Sequence, residues 1–183
     1  RGSSAASDVY KRQAGNRNVT IGWKSGWMSG VAEDNVIIGS EAGHSVTDGN
    51  ENVLIGKKAG FCQNSANWNV FIGCCAGYDA NSGGANVALG AEALKQVEGN
   101  FNIGLGFAAG SSITSGDRNI AIGCNVQVPS ATGQNQLAIG VGATSWIIGD
   151  SNFDVGIGTA TPTSRLHVVG DFLLTGIATA VDF

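Results

Sequence analysis

Apolar residues along this chain fall in pairs two positions apart, each pair framed by an asparagine and a glycine. The phrase Asn-Val-x-Ile-Gly, with Ile or Leu substituting in places, begins at Asn18, Asn35, Asn52, Asn69, Asn86, Asn102 and Asn119. A degenerate copy follows at Gln136–Gly140, and the step is 17 residues with one step of 16. A short strand phrase at a constant step predicts a solenoid with one coil per repeat. Valine and isoleucine two apart share one face of a strand, and that face is expected to pack inside the coil. The residue between them then points outward: Thr20, Ile37, Leu54, Phe71, Ala88, Gly104, Ala121 or Ala138. Only Thr20 is polar, so the strands are expected to be buried on both faces. A further copy of the same chain is the simplest cover, with Ile37, Leu54 and Phe71 assigned to packing between subunits.

A second segment follows each phrase, as in Glu41-Ala42-Gly43, Lys58-Ala59-Gly60, Cys75-Ala76-Gly77 and Ala108-Ala109-Gly110. An inward alanine predicts a second strand lying close against the first, and glycine supplies the corner. Turns such as Thr47-Asp48-Gly49-Asn50 and Ser115-Gly116-Asp117 return the chain to the next phrase. In register, the phrase asparagines stack about 4.8 Å apart, close enough for their amides to bond along the stack. Eight such coils make a segment roughly 40 Å long.

Composition narrows the function classes. The 183 residues include 29 glycines but 2 prolines, and the glycines fall at repeat positions, which argues against disorder. Charged residues are 13% of the chain and the net charge is -4, so no nucleic-acid or anionic-membrane partner is expected. No apolar run reaches the roughly 20 residues of a membrane helix. Residues 3–13, SSAASDVYKRQ, read as the translation of a transposase-type sequencing adapter, and 1–13 is set aside as such an artefact or a disordered tail. Without it the charge is -6, from 10 − 3 = 7 cationic and 14 − 1 = 13 anionic residues. With no initiating Met, the chain reads as a fragment.

Chemistry is sparse. Cys62, Cys74, Cys75 and Cys124 form no C-x-x-C pair, and with His44 and His167 they offer no metal-ligand cluster. Neither paired carboxylates nor a nucleophile–His–Asp set emerges, so no catalytic, cofactor or metal residue is assigned and the chain is not expected to be an enzyme. Two columns carry aromatics. Trp27, His44, Phe61 and Tyr78 occupy one position in four successive coils, which predicts either a stacked structural ladder or a sugar-contacting surface. Trp68 and Phe101 fall in a column that otherwise holds Arg17, Asp34, Glu51 and Arg118, a solvated edge with a second candidate glycan contact.

From residue 141 the step collapses, and Trp146–Gly149 and Val155–Gly158 echo the phrase at about half the spacing. Then comes VGIGTATPTSRLHVVGD, Val155 to Asp171, in which Pro162 interrupts the ladder before Leu166–Val169. The domain reading is a repeat roll over 14–140 and an extended connector or stalk over 141–183. The pattern VGIG-T-x-x-P-x-x-x-LHV-x-G resembles the connector that precedes an intramolecular-chaperone domain of the endosialidase type in phage tail fibres. The repeat N-V-x-I-G-x-x-A-G is similar to those of tail-fibre-like proteins and to the head repeats of trimeric autotransporter adhesins. The resemblance, spanning essentially 14–183, implies a homotrimeric all-β roll acting as a structural fibre segment of a virion, in contact with a host-surface glycan or protein. A head segment of a bacterial surface adhesin is the alternative. It further implies a trimer-assisting chaperone domain after residue 183.

Overall fold

The computed structural model describes residues 17–28 and 30–173; the adapter-like 1–13 and the last part of the apolar tail lie outside them. Each phrase forms one short strand: β1 Val19–Ile21, β2 Val36–Ile38, β3 Val53–Ile55, β4 Val70–Ile72, β5 Val87–Leu89, β6 Ile103–Leu105, β7 Ile120–Ile122 and β8 Leu137–Val141. Consecutive strands pair in parallel and in exact repeat register, Val36 with Val53 and Ile37 with Leu54. Eight stacked parallel strands make about seven turns of an all-β solenoid. The sheet continues through β9 Thr144–Gly149, antiparallel to β8, then β10 Val155–Ile157 and β11 Leu166–Val168, giving eleven strands in sequence order.

The two faces of the strand are the reverse of the sequence expectation. Ile37, Leu54 and Phe71 are at most 1% exposed within this single chain, so they line the coil interior and cannot face a neighbouring subunit. Ala88, Ala121 and Ala138 join them inside. The reason is period two. The phrase Asn and the middle residue are two apart and share a face, and the Asn is the group that goes in. Asn52, Asn69, Asn86, Asn102 and Asn119 are fully buried.

These asparagines are the spine of the roll. Asn52 Oδ1 accepts the backbone N–H of Asn69 at 2.9 Å, and the same bond recurs from Asn35 N to Gln136 N. Asn52 Nδ2 donates to Ala66 O at 2.9 Å, holding the far side of its own coil. Each amide therefore bonds both along the stack and across the coil, so no buried polar group of the spine is left orphaned. Asn52→Asp is expected to keep the acceptor but to place a carboxylate in the interior. Burial raises that carboxyl pKa, so the variant folds nearly like the parent while protonated. Its stability then falls as pH climbs above the unfolded value of about 4, reaching a deficit of about 2–3 kcal/mol at neutrality. Thermal unfolding of both proteins between pH 3 and pH 7 reads this directly.

The expected second strand is absent. The segment after each phrase is a turn, because two left-handed residues break the extended geometry: Glu41 and Gly43, Lys58 and Gly60, Cys75 and Gly77 have φ between 52 and 58°. Hydrogen bonding between coils still continues there. Lys58 N donates back to Ser40 O and Gly60 N donates onward to Ala76 O, both at 2.9 Å. The alanines Ala42, Ala59, Ala76, Ala93 and Ala109 are buried, as their inward placement requires. The phrase glycine is obligatory for two reasons. Gly73 has φ 138°, and a Cβ there would lie 2.5 Å from the Gly90 backbone of the next coil.

Interior volume is balanced within coils and between neighbours. Ile37, Leu54 and Phe71 each fill space that a Cβ on Gly43, Gly60 or Gly77 would invade. Where the middle residue shrinks to Ala88, Leu94 replaces that glycine, and Leu94 also fills the space beside Gly104 of the following coil. One interior position is poorly matched. Gln63 is fully buried in the column of Val46, Ala80, Val97 and Ile113, and its Oε1 has no hydrogen-bond partner. Its Nε2 donates to Ala66 O, which Asn52 already satisfies. Gln63→Leu is expected to stabilise the fold by about 1 kcal/mol, because the unpaired acceptor disappears; an unchanged or lowered melting temperature would count against this.

Candidate self-association face and aromatic columns

With the middle residues turned in, Val and Ile turn out. Their two columns run unbroken along the sheet, pairing Val53 with Val70 and Ile55 with Ile72 in register. They continue past the roll: Ile139 pairs with Ile147, Ile147 with Ile157, and Ile157 with Val168. Eleven strands give an aliphatic stripe roughly 48 Å long and two side chains wide. Val19, Ile21, Ile72, Leu89, Ile157 and Leu166 are each more than a third exposed. Among the paired positions of these two columns only Gly149 lacks an aliphatic side chain. Scattered apolar exposure is ordinary, whereas these half-buried and exposed side chains form one contiguous stripe.

Two rims bound the stripe. The rim before each phrase is Arg17, Asp34, Glu51, Trp68, Ala85, Phe101, Arg118 and Asn135, all left-handed with φ of 55–61°. Arg17 and Asp34 form an ion pair at 2.5 Å, and that hydrogen bond lowers the Asp34 pKa. Glu51 accepts from the Trp68 indole N–H at 3.0 Å. The rim after each phrase includes Trp23, Phe107 and Val141, all exposed.

Three of the four residues in the first aromatic column, His44, Phe61 and Tyr78, stack on one another. His44 and Phe61 rings lie 4.8 Å apart at 19°, and Phe61 and Tyr78 lie 5.0 Å apart at 4°. Lys58 Nζ sits 5.3 Å from the Phe61 centroid, and Lys24 Nζ lies 5.5 Å from that of Trp27. Both faces of Phe61 are therefore taken by neighbouring rings, leaving only its edge outward. That is the geometry of a structural ladder, since stacking on a sugar needs a free ring face.

Trp68 and Phe101 are different. They are 60% and 59% exposed, with Ala85 on the rung between them. A second polar ladder, which the sequence reading missed, runs behind this rim: Asn50 Oδ1 accepts from Glu33 N, Asn67 Oδ1 from Asn50 N, Asn100 Oδ1 from Gly84 N and Asp117 Oδ1 from Asn100 N. Its signal was present as a side-chain carbonyl or carboxylate recurring two residues before the phrase.

Among the described residues neither histidine stands beside a carboxylate or a cysteine. His44 lies in the ladder and His167 in β11, near Thr163. Among the described residues no group of three or more His, Cys, Asp or Glu could hold a metal ion. All four cysteines are free thiols; Cys74 and Cys75 Sγ atoms lie 3.6 Å apart. Burial, then the neighbouring Cys74, pushes the Cys75 thiol up, and burial, then Asp79, does the same for Cys62. A raised thiol is less ionised at neutral pH than a free cysteine. A cleft of about 310 Å³ between the last coil and the β8–β9 hairpin is lined by Asn125, Gln127 and Ser145. The Gln127 amide is committed within the fold, accepting from Ser112 and donating to Ala108 O and Ser111 Oγ.

No helix among the described residues is long and apolar enough to cross a membrane. Comparison with protein families, curated proteins and solved structures finds no match to this chain.

Proposed function

We propose that this chain is a structural segment of a homotrimeric phage tail fibre that contributes to host-receptor attachment, located in the virion. The observation that carries the reading is the aliphatic stripe: a rod with one long apolar face needs identical rods to cover it. Copies stacked in parallel and in register about a common axis bring like rungs to the same height, so each isoleucine column meets its own counterparts. Three copies close such a core, and three is the number implied by the resemblance of the Val155–Asp171 connector to those of tail fibres. A rod that bonds every coil to the next through buried amides suits a load-carrying shaft or head. Surface columns repeated along the rod support a binding role.

A trimeric surface adhesin of a bacterial cell is the second reading, favoured by the similarity of the repeat phrase to adhesin heads. Sequencing the DNA beyond the codon for residue 183 separates the two. A chaperone-type domain there is the expected result. A membrane-anchoring barrel would move the protein to a cell surface and overturn the fibre assignment.

A further inference from the structure

We infer that Trp68, Ala85 and Phe101 form a slot that takes one pyranose ring of a host-surface glycan. This names the ligand class for the attachment role proposed above and rests on that role for its biological meaning, though not for its geometry. The three residues occupy consecutive rungs of one column. Their φ angles are 60, 55 and 59°, so their side chains leave the backbone in parallel directions. Their amides make the same bond to the preceding coil, Trp68 N to Asn50 O, Ala85 N to Asn67 O and Phe101 N to Gly84 O, at 2.9–3.1 Å.

Two rungs separate the backbone positions of Trp68 and Phe101 by about 9.6 Å at the ordinary strand spacing. The closed ladder His44–Phe61–Tyr78 spans 4.8 + 5.0 = 9.8 Å between its outer rings. Trp68 and Phe101 thus stand two rungs apart with only the Ala85 methyl between them, a rung separation at which the closed ladder holds one further ring.

The chemistry at the two ends selects the ring. Glu51 occupies the rung before Trp68 and Arg118 the rung after Phe101, so the strip reads acid, ring, gap, ring, base. The Trp68 N–H bond to Glu51 fixes the indole's orientation. Arg118 Nη1 donates to Gln134 Oε1 at 3.4 Å, and a guanidinium carries further N–H donors beyond that bond. A pyranose matches this setting because its C–H faces stack on aromatic rings while its hydroxyls radiate toward the polar flanks. A phenyl or indole ring would fill the gap but bring little for the carboxylate and guanidinium to bond.

The test is a titration of the full chain with the methyl α- and β-pyranosides of glucose, galactose, mannose and N-acetylglucosamine, followed by saturation-transfer NMR and tryptophan fluorescence. At least one is expected to bind in the millimolar range. Ala85→Phe completes the ladder and is expected to weaken that binding at least tenfold while leaving the melting temperature equal or higher. Trp68→Ala should weaken it to a similar extent, and Phe61→Ala, in the closed ladder, should not. The inference is overturned if no pyranoside binds, if binding survives Ala85→Phe, or if p-cresol or indole occupies the slot and no pyranoside does. A trimer without sugar binding sinks this inference and leaves the fibre reading standing. A monomer whose sugar binding is blocked by Ala85→Phe does the opposite.

Discussion

Phe71→Ala is expected to destabilise the roll by about 3–5 kcal/mol, and Gly77→Leu alone to be worse, yet the double variant should recover most of the loss. Phe71 is fully buried, and removing its ring leaves a cavity that neighbouring coils, locked by their amide ladder, cannot close. Gly77→Leu fails for the opposite reason: even a Cβ at that position would lie 2.3 Å from the Phe71 ring. Together the two changes reproduce the next coil, where Ala88 is the middle residue and Leu94 stands in the glycine position with φ 46° against 55° at Gly77. The double-mutant cycle, measured by denaturant unfolding, should therefore show a favourable coupling of several kcal/mol. Additive losses would mean that the coils do not balance their volume internally.

The second large effect is on assembly. Ile72→Asp with Leu89→Asp places two carboxylates on adjacent rungs of the outer stripe. Both positions are more than a third exposed in the single chain, so the coil itself has room for them. In an in-register trimer they would bring six carboxylates into the apolar core, where desolvation and like-charge repulsion oppose association. The expected result is loss of the trimer with the β-type circular dichroism of the coil retained, at least at low temperature. Retention of the parent's mass would mean that the stripe is not the contact face.

Much of the fold was legible in the sequence because the repeat is a one-dimensional code. The constant step fixes the stacking register, so strands starting at Val36, Val53 and Val70 lie over one another, and the phrase Asn is aligned at once. The inside–outside assignment was misread because Val and Ile are the more regular apolar pair, and regularity was taken for burial. Two features pointed the other way. The phrase Asn shares a face with Phe71 and its equivalents, and where the middle residue shrinks from Phe71 to Ala88 and Gly104, Leu94 stands where the neighbouring coils carry glycine and fills the space beside both. Compensating volume is a property of a packed interior, whereas an invariant Val/Ile pair fits an interface in which every rung meets its own copy. The missing second strand was not legible, because left-handed Glu41, Lys58 and Cys75 carry no intrinsic preference for that conformation; the coil geometry imposes it. The aromatic ladder followed from register alone. The distinction between its covered faces and the exposed Trp68 and Phe101 rests on the ring contacts of the first column and on Ala85 on the rung between the other two.

Sedimentation equilibrium of the purified chain tests the central claim most directly. Each chain weighs 18.5 kDa, so the account expects one species near 3 × 18.5 = 55.5 kDa, dissociated by the Ile72→Asp and Leu89→Asp pair. A stable, folded species at 18.5 kDa would contradict it, because the long aliphatic stripe would then stand uncovered in water.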